Sequence, residues 1–368
     1  MRILITGARG FIGRNLSVRL VEAGQYSVTE FCRSEDPARL PDLVAEADIV
    51  VHLAGENRPT DLAQFAIVNA GLTEILCSAI RVAGRPVPLI LASSTQATLD
   101  NPYGRSKLAA EAAVEELASA TGNPCCIYRL PGVFGKWCRP NYNSVVATFC
   151  HNITRDLPIN ISDRAGQVSL VYVDDVVDAI IACTGNMLPG LQRAEVAPFH
   201  TLTLGELADQ LEAFRNSRLT LVSERVGSGL LRALYSTYIS YLPTERFSYP
   251  LKCHNDSRGM FVEMIKTKDS GQLSCFTVPP AVTRGGHYHH SKTEKFLVVH
   301  GQARFRFRSL TSGEHHEIIT SSERPEVVES IPGWIHDITN IGDCEMVVML
   351  WANENFDPGR PDTIADRI

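Results

Sequence analysis

Tyr103 and Lys107 stand four residues apart in the run Tyr-Gly-Arg-Ser-Lys. A helix there would place both side chains on one face. An ammonium beside a phenol favours the phenolate, which would draw the tyrosine pKa down from about 10. Such a phenol can give its proton to a carbonyl oxygen while hydride reaches the carbon. Ser94 lies nine residues earlier, at the end of an apolar run. Its hydroxyl would hydrogen-bond the same oxygen, with Thr95 as the neighbouring alternative. The loop between Ser94 and Tyr103, which contains Asn101-Pro102, must be short.

A second set of residues suits a metal. His287, His289 and Glu294 lie within one stretch, and His336 follows much later in Pro332-Gly333-Trp-Ile-His336. Histidines two apart on a strand point the same way. Three imidazoles and a carboxylate suit zinc, iron, manganese or nickel better than calcium or magnesium. The expectation is one divalent transition metal per chain, zinc first, with His290 as a substitute ligand. His315-His316 read as a surface pair in a polar turn.

Both sets need scaffolds, and the chain offers two. Up to about residue 180, short β-branched runs alternate with helical patterns. Strands are expected at 1–6, 27–32, 49–53, 87–92 and 125–130, and helices at 11–23, 62–82 and 106–120. That alternation predicts a doubly wound parallel α/β sheet. Gly7-Ala-Arg9-Gly10-Phe11-Ile12-Gly13 falls between the first strand and the first helix. Glycines there allow a tight turn and close approach of backbone to a pyrophosphate, which the helix N-terminus then holds. The second strand ends at Arg33-Ser34, before Glu35-Asp36. A guanidinium suits a 2′-phosphate and a carboxylate suits ribose hydroxyls. Arg33 therefore points to NADPH, and Asp36 is the residue that would favour NAD.

After Pro250 the pattern changes to short alternating segments separated by Gly and Pro, which predicts an all-β sandwich or barrel. The division falls near 243–255, giving units of 1–245 and 246–368. The run 303–308 alternates apolar and basic residues, so one strand face is apolar and the other basic. A net charge of -6 over 368 residues argues against nucleic-acid and anionic-membrane partners. No apolar run reads as long enough to cross a bilayer. The start of the chain reads as a buried strand, not a signal peptide. Ten cysteines without framework spacing read as reduced thiols, and the expected location is cytoplasmic.

Taken together, the glycine turn, His52-Leu53-Ala54-Gly55, Asn69, Ser93-Ser94-Thr95, Tyr103-x-x-x-Lys107, Arg129-Leu-Pro-Gly-Val-Phe-Gly135 and Val171-Tyr-Val-Asp-Asp175 resemble the extended short-chain dehydrogenase/reductase family. The resemblance implies a Rossmann-like fold, catalysis by Ser94, Tyr103 and Lys107, and cofactor contacts from the glycine turn, Leu53 and Ala54, with Lys107 also on the nicotinamide ribose. The histidine stretches resemble the two cupin motifs, which implies a jelly-roll barrel with His287, His289, Glu294 and His336 as ligands. A reductase fused to a cupin resembles bifunctional enzymes of capsular polysaccharide biosynthesis. That implies a UDP-linked 4-keto-6-deoxy-HexNAc substrate, epimerised at C3 by the cupin and reduced at C4 with NADPH, towards UDP-N-acetyl-L-fucosamine. It also implies a homodimer through the cupin. Lys136, Arg139, Asn141, Asn143 and Arg164 are candidates for the diphosphate and uracil.

Overall fold

The computed structural model describes all residues, 1–368, as two compact units. One comprises Met1–Leu211 with Ala233–Leu242, the other Glu212–Arg232 with Pro243–Ile368.

In the first unit β1 (Arg2–Thr6), β2 (Ser27–Phe31), β3 (Ile49–His52), β4 (Leu89–Ser94) and β5 (Cys125–Leu130) alternate with α1 (Phe11–Glu22), α2 (Leu40–Glu46), α3 (Ala63–Val82) and α4 (Pro102–Thr121). Next come β6 (Gly132–Phe134), α5 (Val145–Ile153), β7 (Gln167–Tyr172), α6 (Val173–Thr184), β8 (Leu191–Ala194), β9 (Phe199–Thr203) and α7 (Leu204–Thr220), of which only the residues up to Leu211 belong to this unit. A six-stranded sheet has the order β2-β1-β3-β4-β5-β8, and all its neighbours are parallel. β6, β7 and β9 form a separate small sheet. The central strands are buried on both faces, so they read as continuous apolar runs: Leu4 and Val50 pack on one side, Ile3, Ile5 and Val51 on the other. Strand order reverses on either side of β1, so the crevice for a ligand lies above β1 and β3.

α3 is long and apolar enough to pass for a membrane span, which corrects the expectation that no such run exists. Leu76, Cys77, Ala79 and Ile80 of α3 pack in the sheet's core, so here it is a core helix. Its Ala66–Gly71 segment is a π-helical turn, a distortion often found at functional sites.

In the second unit β10 (Val222–Ser223) precedes α8 (Gly229–Ser240), a helix that crosses the partition between the units. The rest is β-structure: β11 (Cys253–Asp256), β12 (Gly259–Thr267), β13 (Gln272–Val278), β14 (Thr283–Tyr288), β15 (Glu294–His300), β16 (Gln302–Ser309), β17 (His315–Ser321), β18 (Val327–Glu329), β19 (Trp334–Asn340), β20 (Met346–Ala352) and β21 (Ile364–Ala365). One sheet runs β10-β12-β13-β20-β15-β18, with β11 beside β12; the other runs β17-β16-β19-β14-β21. Phe276, Phe296 and Val348 from the first sheet meet Phe305, Phe307 and Ile338 from the second, giving the jelly-roll barrel of the cupin fold. On β16 the phenylalanines point into this core. The outward arginines are paired, Arg304 with Glu317, Arg306 with Asp337 and Arg308 with Asp366, so no free basic stripe remains.

Candidate functional site

The glycine turn forms as its spacing requires. Gly7 has φ +71, and a Cβ there would lie 2.7 Å from the Ala54 backbone nitrogen. The β1 and β3 loops can close on each other only because that position is glycine. Gly10 caps α1 with no side-chain bond. The first-turn amides of Phe11, Ile12 and Gly13 therefore have no capping side chain and could hold an anion. Arg9 is exposed and pairs with Glu30 at 3.2 Å. Leu53 and Ala54 are tied to β1 through Thr6, which accepts from both backbone amides. His52 is buried between the hydroxyls of Thr6 and Thr73, and burial pushes its pKa down to about 3. It is a neutral brace between strand and helix.

Arg33 ion-pairs with Glu56, a buried carboxylate just beyond the β3 loop. Glu56 also accepts from the Tyr142 hydroxyl at 2.8 Å. This network was not visible in sequence, because its members lie 23 and 86 residues apart. Asp36 caps the next turn, accepting from the Ala38 amide at 2.9 Å.

The short loop between Ser94 and Tyr103 folds as a tight 3-10 turn, Thr95–Thr98, capped by the Ser94 side chain. α4 begins at Pro102, four residues before the expected start at Ser106. Asn101 caps it, accepting from Gly104 N at 2.8 Å, and Pro102 fits the first helical position. A Cβ at Gly104 would fall 2.3 Å from the Leu99 carbonyl oxygen, so glycine is what lets the helix sit against this turn. Asn69, in the π-helical turn, receives Glu56 N–H at 2.8 Å and donates to Ser106 Oγ at 2.9 Å. It joins the β3 loop to the start of α4.

Ser94, Tyr103 and Lys107 are thereby brought together. Ser94 and Tyr103 are hydrogen-bonded, and the Tyr103 ring packs on Phe65 with centroids 5.6 Å apart. Lys107 is buried, its Nζ 3.2 Å from the Ala92 carbonyl oxygen. Thr95 is exposed and stands outside this contact. The expected depression of the phenol is not found. Burial pushes Tyr103 above its usual value, and the bond with Ser94 only partly opposes it. Burial likewise pushes Lys107 down to about 8, against the pull of Glu111. Desolvation sets the direction of the shift, and Lys107 is not among its causes.

Of the residues suggested for a nucleotide sugar, Lys136 pairs with Asp174 at 2.6 Å, Arg139 lies over the Tyr142 ring at 5.1 Å, and Asn141 and Asn143 are exposed. Arg164 is engaged by both carboxylate oxygens of Asp209.

In the barrel His287 and His336 are cross-strand partners on β14 and β19. His289 follows the end of β14, and Glu294 opens β15 in the opposite sheet. Their four ligand atoms lie within 4.8 Å of one another. The Nε2 atoms of His289 and His336 converge on one Glu294 oxygen, at 3.2 and 3.3 Å. Although burial opposes the charge, these two bonds hold the Glu294 carboxyl well below its usual range. Burial and the neighbouring His336 push His287 down to about 4. Three imidazoles and an ionised carboxylate converging in a buried pocket match the needs of a divalent transition metal.

Asp362, which sequence reasoning missed, secures the ligand loop. Its carboxylate accepts from the amides of His290, Ser291 and Lys292 at 3.0, 2.9 and 2.8 Å. Its backbone carbonyl meets His289 Nδ1, which directs Nε2 to the site. His290 meets the Tyr288 ring edge-to-face, outside the cluster. His315 and His316 open β17 rather than sit in a turn. Asn340 is buried and donates to the carbonyls of Val278 and Cys344, both at 2.8 Å, so its place in the second histidine motif is structural.

Comparison with known proteins agrees with both halves. The chain is 54% identical over 365 residues to the UDP-2-acetamido-2,6-beta-L-arabino-hexul-4-ose reductase of Pseudomonas aeruginosa, covering 99% of this chain and 98% of that one. Its structure is similar to that of CapF, the capsular polysaccharide assembling protein of Staphylococcus aureus, with 42% identity and TM-score 0.93 over the whole of both chains. The UDP-glucuronic acid 4-epimerase of Bacillus cereus, solved with NAD, shares the fold of the first unit at 19% identity, with TM-score 0.56 over 66% of this chain and 96% of its own. Residues 254–364 match the polysaccharide biosynthesis C-terminal domain. With residues 3–189 matching its profile, the chain belongs to the NAD dependent epimerase/dehydratase family.

Proposed function

We propose that this chain reduces the C4 ketone of a UDP-linked 2-acetamido-2,6-dideoxy-4-hexulose with NADPH, after its cupin barrel has epimerised C3. The observation that carries the reading is the presence of two complete chemical sites in one chain. Ser94, Tyr103 and Lys107 meet beside the dinucleotide crevice, and three histidines with a glutamate meet in the barrel. Full-length identity to a reductase of such a ketone supports the substrate class.

The first site separates its tasks. NADPH supplies hydride to C4 when bound. Tyr103 gives its proton to the C4 oxygen, and Ser94 hydrogen-bonds that oxygen and aligns it. Lys107 keeps a positive charge beside the phenolate as it forms and holds the nicotinamide ribose. Gly7, Arg9, Gly10, Phe11, Ile12, Gly13, Leu53 and Ala54 cradle the rest of the cofactor, and Arg33 takes the 2′-phosphate.

In the barrel, the C4 ketone makes the C3–H acidic. A divalent metal, zinc first, would polarise the carbonyl and stabilise the charge left by proton removal. His287, His289, Glu294 and His336 would hold it. We further propose a cytoplasmic homodimer joined through the barrel. Exposed Met264, Val327 and Met349 on strands of one barrel sheet favour a protein-covered face.

A narrower reading, in which the barrel is structural and only reduction occurs, is favoured by the name of the Pseudomonas relative, which states a reductase. Incubating the 4-hexulose with enzyme in deuterated water separates the two. Deuterium at C3 without NADPH supports the bifunctional reading, whereas no exchange at C3 with or without NADPH supports the narrower one. Cofactor choice has its own test. Arg33→Asp should lower kcat/KM for NADPH about 10- to 100-fold, the worth of one charge-assisted bond, with little loss for NADH. Equal wild-type kcat/KM with both cofactors would overturn the role given to Arg33.

A further inference from the structure

Beneath the reductase triad lies a buried charge that the proposed reaction does not use. Glu111 is fully buried on α4, one helical turn from Lys107 and two from Tyr103. One of its oxygens accepts from Ser93 Oγ at 2.5 Å and from Arg129 Nε at 3.0 Å; the other accepts from the Arg129 guanidinium at 2.6 and 3.1 Å. Ser93 immediately precedes Ser94 on β4, and Arg129 is the cross-strand partner of Ser93 on β5. A single carboxylate thus fastens the helix bearing Tyr103 and Lys107 to the strand end bearing Ser94.

We propose that Glu111 is a positioning residue of the reductase site, the counter-charge that keeps Lys107 an ammonium and locks Ser94, Tyr103 and Lys107 in register. The inference rests on the reductase reading above. The surroundings of Lys107 support it. From β4 it meets only the neutral Ala92 carbonyl; from the β3 loop and α3 it meets Gly55 and the neutral Asn69 amide. His52 is neutral and braced by threonines. On its own helix the neighbours are the Tyr103 phenol and Glu111. Beyond Glu111, Arg129 on β5 and Arg193 on β8 are cationic. Glu56, next to Gly55, is taken up by Arg33 and Tyr142, and Glu115 by Arg193, which leaves Glu111 as the anion that acts on Lys107. Burial favours loss of the Lys107 proton, and Glu111 opposes that loss. Two conditions follow: the carboxylate must be charged, and it must be held still. Arg129 and Ser93 satisfy both, keeping its pKa low despite its burial.

The test is the pH profile of kcat/KM for NADPH-dependent reduction of the 4-hexulose by the full-length enzyme. Reduction needs the protonated Tyr103–Lys107 pair, so the rate falls on the alkaline side. Glu111→Gln keeps shape and hydrogen bonding but removes the charge, and should move that fall to lower pH by about one unit. Glu111→Asp keeps the charge but not the reach, and should lower the rate with the fall unmoved. Arg129→Gln leaves Glu111 less neutralised, and should move the fall to higher pH. These opposite signs are the signature of charge; a packing role would lower the melting temperature and the rate in all three with the profile fixed. A fixed profile in Glu111→Gln overturns the inference. Should that variant not fold, a fixed or acid-shifted profile in Arg129→Gln overturns it equally. A wild-type enzyme with no reduction at any pH would instead refute the reductase reading.

Discussion

Tyr103→Phe should reduce NADPH oxidation about 100- to 10,000-fold, the usual contribution of a positioned general acid. The substitution removes only the phenolic oxygen. The ring remains against Phe65, and Asn101 and Pro102 still start the helix, so stability should change little. Ser94 loses its partner but still caps the Thr95–Thr98 turn, accepting from the Gln96 amide at 3.1 Å. Deuterium exchange at C3 should persist at the wild-type rate, because the residues proposed for it are all in the barrel. The measurement is a paired assay on one preparation, absorbance at the nicotinamide band and mass of the recovered sugar. Loss of both signals in Tyr103→Phe would mean that the barrel does not exchange C3 by itself.

His336→Ala should give the mirror image. It removes a proposed ligand that is buried and cross-strand to His287, and leaves Glu294 with one imidazole partner instead of two. Losing even an outer partner of a metal ligand costs 10- to 100-fold, so C3 exchange should fall by at least about 100-fold. Elemental analysis should show metal in the wild type and a loss in the variant. A strong chelator should reproduce the variant's phenotype, with recovery on adding zinc back. Reduction of a ketone already in the C3-epimerised form should continue. Full exchange by metal-free protein would return the barrel to a structural role.

How much of this was legible depended on the range of the interactions. The parallel sheet was readable because its central strands are buried on both faces and so form unbroken apolar runs, as at 49–53. The jelly roll was readable because Gly and Pro separate its strands. β14 and β19 fall outside the alternating segments, although His287 and His336, which they carry, were read as strand residues. Their sequences mix glycine, polar and histidine residues, since their inner ends face a polar site and not the core. The helix at Tyr103–Lys107 was read from that run, while the apolar periodicity alone placed its start near 106; Asn101-Pro102 supplies the cap and the first-turn proline. Glu56, Glu111 and Asp362 were unreadable for another reason. Each acts through partners brought close only by the fold, at separations from 18 to 86 residues. The raised Tyr103 phenol has the same origin, because spacing sets which groups meet while burial sets what that meeting costs.

The grip of Asp362 on the loop bearing His289 gives the barrel a chronology. A ribosome finishes all four ligands before it reaches Asp362, and β21 follows later still. Until that aspartate emerges, the amides of His290, Ser291 and Lys292 lack their common acceptor, and nothing aims the His289 imidazole. A nascent chain with every ligand in place therefore still presents an untied loop. Ordering of this loop waits for a segment made after all four residues and after the sheet of the first unit. A product terminated just short of Asp362 would carry His287, His289, Glu294 and His336 without the clasp that organises them.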